Sequence, residues 1–126
     1  MRAVDTNVLV RLVARDDVRQ TTEAEAFISH GAWVPHLVLA EMVWVLESVY
    51  GLSAPEIITS VQMMLNHKNL TVQGADMVEA ALARYGRKPS LGFTDCLILE
   101  SARKAGHLPL GTFDRDLGRQ EGARRL

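Results

Sequence analysis

The amino-acid sequence predicts an α/β domain with a mainly parallel sheet. Short strand-like segments alternate with longer helix-like segments along the whole chain, an order that places helices against a parallel sheet. The chain has 126 residues, 48% of them apolar, which is enough to bury one sizeable core. No repeat, low-complexity tract or linker interrupts the pattern. We therefore expect residues 1–126 to form a single domain.

The predicted elements follow from hydrophobic spacing and from capping signals. Strand-like segments are expected at residues 2–4, 32–35, 70–72, 108–113 and 123–126. Helical spacing is found at residues 8–13, 16–29, 37–49, 53–67, 77–85 and 91–105. Asp16 or Asp17 can cap the second helix, while Ser53 caps the fourth and Glu56 completes a capping box. Gly86 and Gly106 are predicted to end the fifth and sixth helices.

The composition is that of an ordinary cytoplasmic protein. Charged residues make up 23% and the net charge is −1, so overall charge does not indicate a nucleic-acid-binding protein. The only cysteine, Cys96, cannot form an internal disulfide and precedes three aliphatic residues; we expect it in the core. No signal peptide is evident, and no apolar stretch reaches the roughly 18 residues that cross a bilayer.

Four carboxylates lie in or directly after apolar segments. Asp5 and Asp114 follow predicted strands, and parallel sheets form ligand crevices beyond the carboxyl ends of their strands. Glu41 and Asp95 lie on helices, where their neighbours three and four residues away are apolar or glycine. We therefore expect Glu41 and Asp95 to project from the core side, and all four carboxylates to converge at one edge of the sheet.

Other acidic residues of the same helices fall on different faces. Glu47 lies on a different face of its helix from Glu41, and Glu100 lies on a different face from Asp95, so both are expected on the surface. A structural ion-pair network is an alternative role for the four carboxylates. Apart from Arg11, however, the N-terminal half has few cations near them.

The charge of the four carboxylates favours a bound cation. Burying one unpaired carboxylate costs several kcal/mol, and two of them about 4 Å apart repel by roughly 4 kcal/mol at an effective dielectric near 20. The histidines show no ligand spacing, and carboxylate oxygens alone suit Mg²⁺ or Mn²⁺. The commonest chemistry of such a centre is hydrolysis of phosphate esters, in which the metal activates a water molecule.

Two neutral polar residues accompany the carboxylates. Asn7 follows Asp5 closely and Thr112 precedes Asp114. Either can orient a carboxylate or the attacking water. Asn7 also fits a helix N-cap, and Thr112 fits a turn at the end of a strand. These structural roles do not exclude the orienting role.

With these residues in place, the chain resembles the PIN-domain nucleases, and among them the VapC-type toxins of bacterial toxin–antitoxin pairs. The resemblance spans nearly the whole chain. It rests on four segments in order: AVDTNVLVR at 3–11, LAE at 39–41, FTDCLI at 93–98 and TFDRDL at 112–117. Each is a weak pattern alone, whereas the four together in a chain of this length are specific.

The resemblance implies a three-layer α/β/α sandwich, a parallel sheet of about five strands, and Mg²⁺-dependent (or Mn²⁺-dependent) endoribonuclease activity. It also implies a homodimer and a cognate antitoxin. The chain would contact DNA only through this antitoxin. It assigns metal binding to Asp5, Glu41, Asp95 and Asp114, and the orientation of water or phosphate to Thr112. Asp116 is a further acidic candidate, because family members vary in which C-terminal carboxylate contributes.

The expected substrate is RNA, with a backbone phosphate on the metal and basic residues on the neighbouring phosphates. Candidates for those contacts are Arg11, Arg87, Lys88 and Arg115. Trp33 and Trp44 can stack bases, although their apolar settings favour the core. The alternative is a component of a DNA-bound regulatory complex whose nuclease site is silenced. A receiver-like signalling domain is disfavoured, because the expected Asp and Lys at its strand ends are missing.

Overall fold

A computed structural model describes residues 1–126 as six α-helices and five short strands. The chain divides into two compact units, residues 1–75 and residues 76–126. The predicted α/β class is confirmed, and every strand pair is parallel. The strands do not form one sheet as predicted, since three belong to one sheet and two to another.

The N-terminal unit contains the three-stranded sheet. Its elements are β1 (Arg2–Ala3), α1 (Thr6–Ala14), α2 (Val18–Ile28), β2 (Ala32–Val34), α3 (His36–Ser48), α4 (Ala54–Asn66) and β3 (Leu70–Val72). The strand order is β1-β2-β3, with Arg2 opposite Ala32 and Ala32 opposite Leu70. The parallel strands are joined through helices, as the alternating pattern predicted.

The core of this unit is built from the apolar faces of its helices. Helix α1 packs against α2 and α3, and α4 packs against α3 and β3. The side chains that are fully buried there include Leu9, Leu39, Met42, Leu46 and Ile57. Helix α2 buries Ala24 and Ile28 in this core, whereas Phe27 of the same helix is exposed.

Local capping signals were predicted well. The carboxylate of Asp17 accepts a hydrogen bond from the Gln20 N–H at 2.9 Å and so caps α2. At the start of α4, the Glu56 carboxylate accepts hydrogen bonds from the Ser53 N–H at 3.0 Å and the Ser53 hydroxyl at 2.9 Å. Both contacts lie within a few residues in sequence, which is why the sequence alone was sufficient to predict them.

The C-terminal unit contains the last two helices and the two-stranded sheet. Its elements are α5 (Ala75–Arg87), a 3₁₀ turn (Pro89–Leu91), α6 (Phe93–Ala105), β4 (Leu110–Thr112), a second 3₁₀ turn (Leu117–Arg119) and β5 (Ala123–Arg125). Helix α5 continues through Gly86, contrary to the prediction, whereas Gly106 ends α6 in the left-handed conformation as expected. None of the six helices is long and apolar enough to cross a membrane.

Two residues of α6 show which face of this helix is inside the protein. Cys96 is buried as predicted, and burial raises the pKa of its thiol to about 11. Glu100 was expected on the surface, and this prediction was wrong. One turn before Glu100 lie Cys96 and Leu97, which are both buried, and Glu100 shares their face.

Ion pairs compensate the buried charge of Glu100. Its Oε1 lies 2.9 Å from Nη2 of Arg84 on α5, and its Oε2 lies 3.5 Å from Nε of Arg103. Arg84 also donates a hydrogen bond to the side-chain oxygen of Gln120 at 2.9 Å. The Glu100–Arg84 pair therefore connects α5, α6 and the C-terminal segment within this unit.

Replacing Glu100 by alanine is expected to reduce the free energy of unfolding by about 3 kcal/mol or more, because breaking a buried ion pair leaves an uncompensated charge. Urea denaturation of Glu100→Ala measures this loss. Glu79→Ala on the exposed side of α5 is the matched control and should change stability by less than about 0.5 kcal/mol. Equal effects of the two substitutions would show that the Glu100 ion pairs contribute nothing specific.

Candidate functional site

Asp5 begins helix α1 and is exposed at its N-terminus. The residue has an extended backbone, and its carboxylate accepts a hydrogen bond from the Thr6 N–H at 2.7 Å. Asp5, and not Asn7, is thus the N-cap. In the segment before Asp5, Arg2 and Ala3 of β1 are exposed and only Val4 lies in the core. Asp5 keeps its second carboxylate oxygen for another ligand.

Asp5 and Asn7 line an open cleft of about 400 Å³ between α1 and α2. The remaining lining residues are Val8, Arg11, Gln20, Glu23, Ala24 and Phe27. Asn7 is exposed, and its side-chain amide makes no hydrogen bond within the protein. This cleft could not be predicted from the sequence, because its walls come from two helices whose pairing only the fold defines.

Arg11 is held by three side chains. Its guanidinium donates hydrogen bonds to the Gln20 side-chain oxygen at 2.6 Å, to Asp16 at 2.8 Å and to the Tyr50 hydroxyl at 3.0 Å. Tyr50 in turn donates to Asp16 at 2.8 Å. This hydrogen bond is the largest cause of the lowered pKa of Asp16, and the charge of Arg11 contributes to it. Arg11 was expected to contact phosphates, but these bonds give it a structural role.

Glu41 lies on the exposed side of α3, which contradicts the prediction that it projects from the core side. Its neighbours Leu37 and Trp44 are 72% and 62% exposed, whereas Leu39, Met42, Val43 and Leu46 form the buried face. Apolar residues cover both sides of α3, so spacing alone could not identify the buried one. Trp33 is also exposed, and the expectation that both tryptophans pack in the core was wrong.

Asp95 lies in the first turn of α6 and is half-buried. Its carboxylate has no hydrogen-bond or ion-pair partner in the protein. Burial raises the pKa of Asp95, and the negative charge of Asp114 raises it further. Within the C-terminal unit, the charge of one predicted site residue, Asp114, therefore acts on another, Asp95.

Asp114 and Thr112 form a tight turn after β4. The Thr112 hydroxyl oxygen accepts a hydrogen bond from the Asp114 N–H at 3.0 Å. The Asp114 carboxylate accepts one from the Leu117 N–H at 2.8 Å. Thr112 thus has the strand-end role that the sequence left open, and it orients Asp114 through the backbone.

Asp116 differs from the other acidic candidates because two cations lie near it. Its carboxylate oxygen is 3.9 Å from Nζ of Lys88 and 3.7 Å from Nε of Arg115. These separations are longer than those of good charge-assisted hydrogen bonds, but they partly neutralise Asp116. A bound metal ion would therefore compensate the charge of Asp116 less than that of Asp95, because two cations already lie near Asp116.

The predicted carboxylates are distributed over both units. Asp5 and Glu41 belong to residues 1–75, and Asp95 and Asp114 belong to residues 76–126. No group of three or more His, Cys, Asp or Glu side chains is arranged to hold a metal ion. Three of the four carboxylates are exposed, so the expected cost of burial applies only to Asp95. The shared four-carboxylate site remains a prediction, although an all-carboxylate donor set fits a hard divalent cation.

Comparison with known proteins supplies independent information on the family. A family model described as PIN domain matches residues 2–122, which is nearly the whole chain. The match includes every residue proposed for the site. No curated protein and no solved structure matches this chain.

The Asp95 carboxyl is expected to titrate above the ordinary aspartate range. Because the pKa of the folded state is raised, the associated stability is present below the pKa of the unfolded chain and is lost as pH rises through the folded value. Asp114→Asn should lower the pKa of Asp95 only partly, since burial is the larger cause. Carboxyl NMR titration in metal-free buffer measures both values.

Asp116→Asn is the control for this titration, because Asp116 does not contribute to the pKa shift of Asp95. An Asp95 pKa below the ordinary value, or one that Asp114→Asn does not change, would contradict the electrostatic contact between the two carboxylates.

Proposed function

Because the chain belongs to the PIN-domain family, whose members are generally metal-dependent nucleases, we propose that it is a metal-dependent endoribonuclease that hydrolyses phosphodiester bonds in RNA. The observation that carries the proposal is the Asp95–Asp114 pair. Asp95 is half-buried, has no partner in the protein and senses the charge of Asp114. A divalent cation would relieve this repulsion.

The proposed metal ligands are Asp5, Glu41, Asp95 and Asp114. The last two are supported by their electrostatic contact, and Asp5 by its carboxylate at the edge of the cleft. Glu41 is supported by its exposure, which leaves its carboxylate free to bind an ion. Asp116 is a fifth candidate, but the nearby Lys88 and Arg115 favour a position beside the ion and not on it.

A bound Mg²⁺ or Mn²⁺ would lower the pKa of an attacking water and stabilise the leaving oxygen. The protein's own residues would position the substrate for this chemistry. Thr112 fixes the backbone of Asp114 through the hydrogen bond from the Asp114 N–H. The free amide of Asn7 can orient the attacking water beside Asp5. We propose that hydrolysis leaves a 5′-phosphate and a 3′-hydroxyl.

Basic residues of the C-terminal unit are proposed to contact the RNA backbone. Arg87 and Arg115 are exposed, and Lys88 is half-buried close to Asp116. Contacts of this kind bind phosphates without reading sequence, and they make affinity fall as salt concentration rises. Arg11 is not included, because its bonds to Asp16, Gln20 and Tyr50 hold it in the protein.

The proposed biological role is that of a toxin neutralised by a cognate antitoxin, acting as a homodimer. The four segments that resemble VapC-type toxins support this role. The exposed apolar side chains of α3, Leu37 and Trp44, also support a protein partner, because exposed apolar patches commonly mark interaction sites. Sequencing the cut ends of cellular RNA after expression tests the toxin role. An unchanged set of RNA ends would contradict it.

Removal of a proposed ligand is expected to abolish RNA cleavage without unfolding the protein. Asp5→Asn and Asp95→Asn should each reduce the cleavage rate of a single-stranded RNA by more than the roughly 10–100-fold that outer-shell substitutions cost. Wild-type cleavage should cease in EDTA and return with added Mg²⁺ or Mn²⁺. Urea denaturation in metal-free buffer should show Asp95→Asn to be as stable as wild type or more stable at a pH above the raised pKa of Asp95, where the wild-type carboxylate is charged.

Glu79→Gln is the matched control, because Glu79 is exposed on α5 and has no ion-pair partner. It should leave the cleavage rate unchanged. If Asp5→Asn or Asp95→Asn unfolded the protein, or if either retained full activity, the assignment of that carboxylate to a metal site would be wrong.

A further inference from the structure

The cleft between α1 and α2 has the size and the mixed lining of a ligand site. Its volume of about 400 Å³ is within the range of pockets that bind small organic groups. Val8 and Ala24 form apolar walls, while Asn7 and Gln20 contribute amides. All of these residues lie in the N-terminal unit.

Phe27 gives the cleft an aromatic surface. Its side chain is 37% exposed, although Ala24 and Ile28 of the same helix are buried. The guanidinium of Arg2 lies over the ring, 4.8 Å from its centroid. Unpaired nucleobases stack on aromatic rings and on guanidinium groups of this kind. Phe27 and Arg2 together therefore offer a stacking surface that the core does not use.

The amides of the cleft can read the edge of a base. The Gln20 oxygen accepts a hydrogen bond from Arg11, so the side chain is fixed while its NH₂ group stays available as a donor. Asn7 has both a free donor and a free acceptor. Arg11 is itself fixed by Asp16 and Tyr50. A few polar groups in fixed positions on an apolar wall are what gives a small-molecule site its specificity.

The charges of the cleft favour a base over a phosphate. Asp5 and Glu23 are negatively charged, and the one cation in the lining, Arg11, is already paired with Asp16. The two carboxylates would repel a phosphate placed there, whereas they would not repel a neutral base. Asp5 is also a proposed metal ligand, so a base in this cleft would belong to a nucleotide near the cleaved bond.

We propose that this cleft binds one unpaired nucleobase of the RNA substrate by stacking on Phe27, and that Asn7 and Gln20 determine which base is accepted. The inference rests on the proposed ribonuclease activity. It adds a preference for single-stranded RNA and for a particular base, because a base inside a duplex is stacked and cannot enter the cleft.

The test combines substitutions at Phe27 with an abasic scan of the RNA. Binding of the full-length protein to short single-stranded oligoribonucleotides is measured in EDTA, with one position at a time made abasic. Base–aromatic stacking predicts that Phe27→Ala weakens binding of the intact RNA roughly 5- to 150-fold. At one abasic position the same substitution should have no further effect, whereas Phe27→Tyr should bind like wild type.

Val18→Ala is the control, because Val18 is exposed on the same helix and does not line the cleft. It should bind every oligonucleotide like wild type. If Phe27→Ala weakened the intact and all abasic RNAs equally, or weakened none, the base site would be wrong. The base site would also be wrong if the cleft bound only a protein segment, in which case RNA would bind equally well with and without the Phe27 side chain.

Cleavage measured in Mg²⁺ separates this inference from the proposed function. If the wild type cleaves RNA but the effect of Phe27→Ala does not depend on any one base, the base site is wrong and the ribonuclease proposal stands. If the effect of Phe27→Ala on binding does depend on one base but the protein cleaves no RNA, the ribonuclease proposal is wrong and the base-binding cleft stands.

Discussion

Each aspartate of the proposed site lies where a helix or a helical turn begins, and the start of that helix or turn fixes the position of its carboxylate. Asp5 caps α1, Asp95 lies in the first turn of α6, and Asp114 accepts the Leu117 N–H at the start of a 3₁₀ turn. Backbone N–H groups and the helix dipole stabilise negative charge at these positions. At Asp95, however, burial and the charge of Asp114 outweigh this stabilisation and raise the pKa of the carboxyl. A divalent cation is the proposed means of stabilising its charged form.

The C-terminal unit shows a second way of fixing a charged group. Glu100 is buried and paired with Arg84 and Arg103, and Arg84 extends the contact to Gln120. Asp95 is on the same helix but has no cation. One carboxylate of α6 is thus satisfied within the protein and the other is not. This difference, and not burial alone, distinguishes a structural carboxylate from a candidate ligand.

Local signals in the sequence were sufficient for much of the fold, whereas signals that depend on packing were not. The capping residues Asp17, Ser53 and Glu56 and the α/β order were predicted correctly, because they depend on neighbours in the chain. Helix α3 is apolar on both sides, so periodicity could not show that Glu41 and Trp44 are exposed. For the proposed site, the sequence supplied the candidate carboxylates, whose role stays a prediction, but not the cleft beside Asp5, which requires the pairing of α1 with α2.

The central proposal is that Asp5 and Asp95 are each ligands of a divalent metal ion. Calorimetric titration of the metal-free protein with Mn²⁺ tests it most directly, using wild type, Asp5→Asn and Asp95→Asn. We expect the binding isotherm of the wild type to be lost or strongly weakened in both variants, because each substitution removes a ligand. If either variant bound Mn²⁺ as the wild type does, that aspartate would not be a metal ligand.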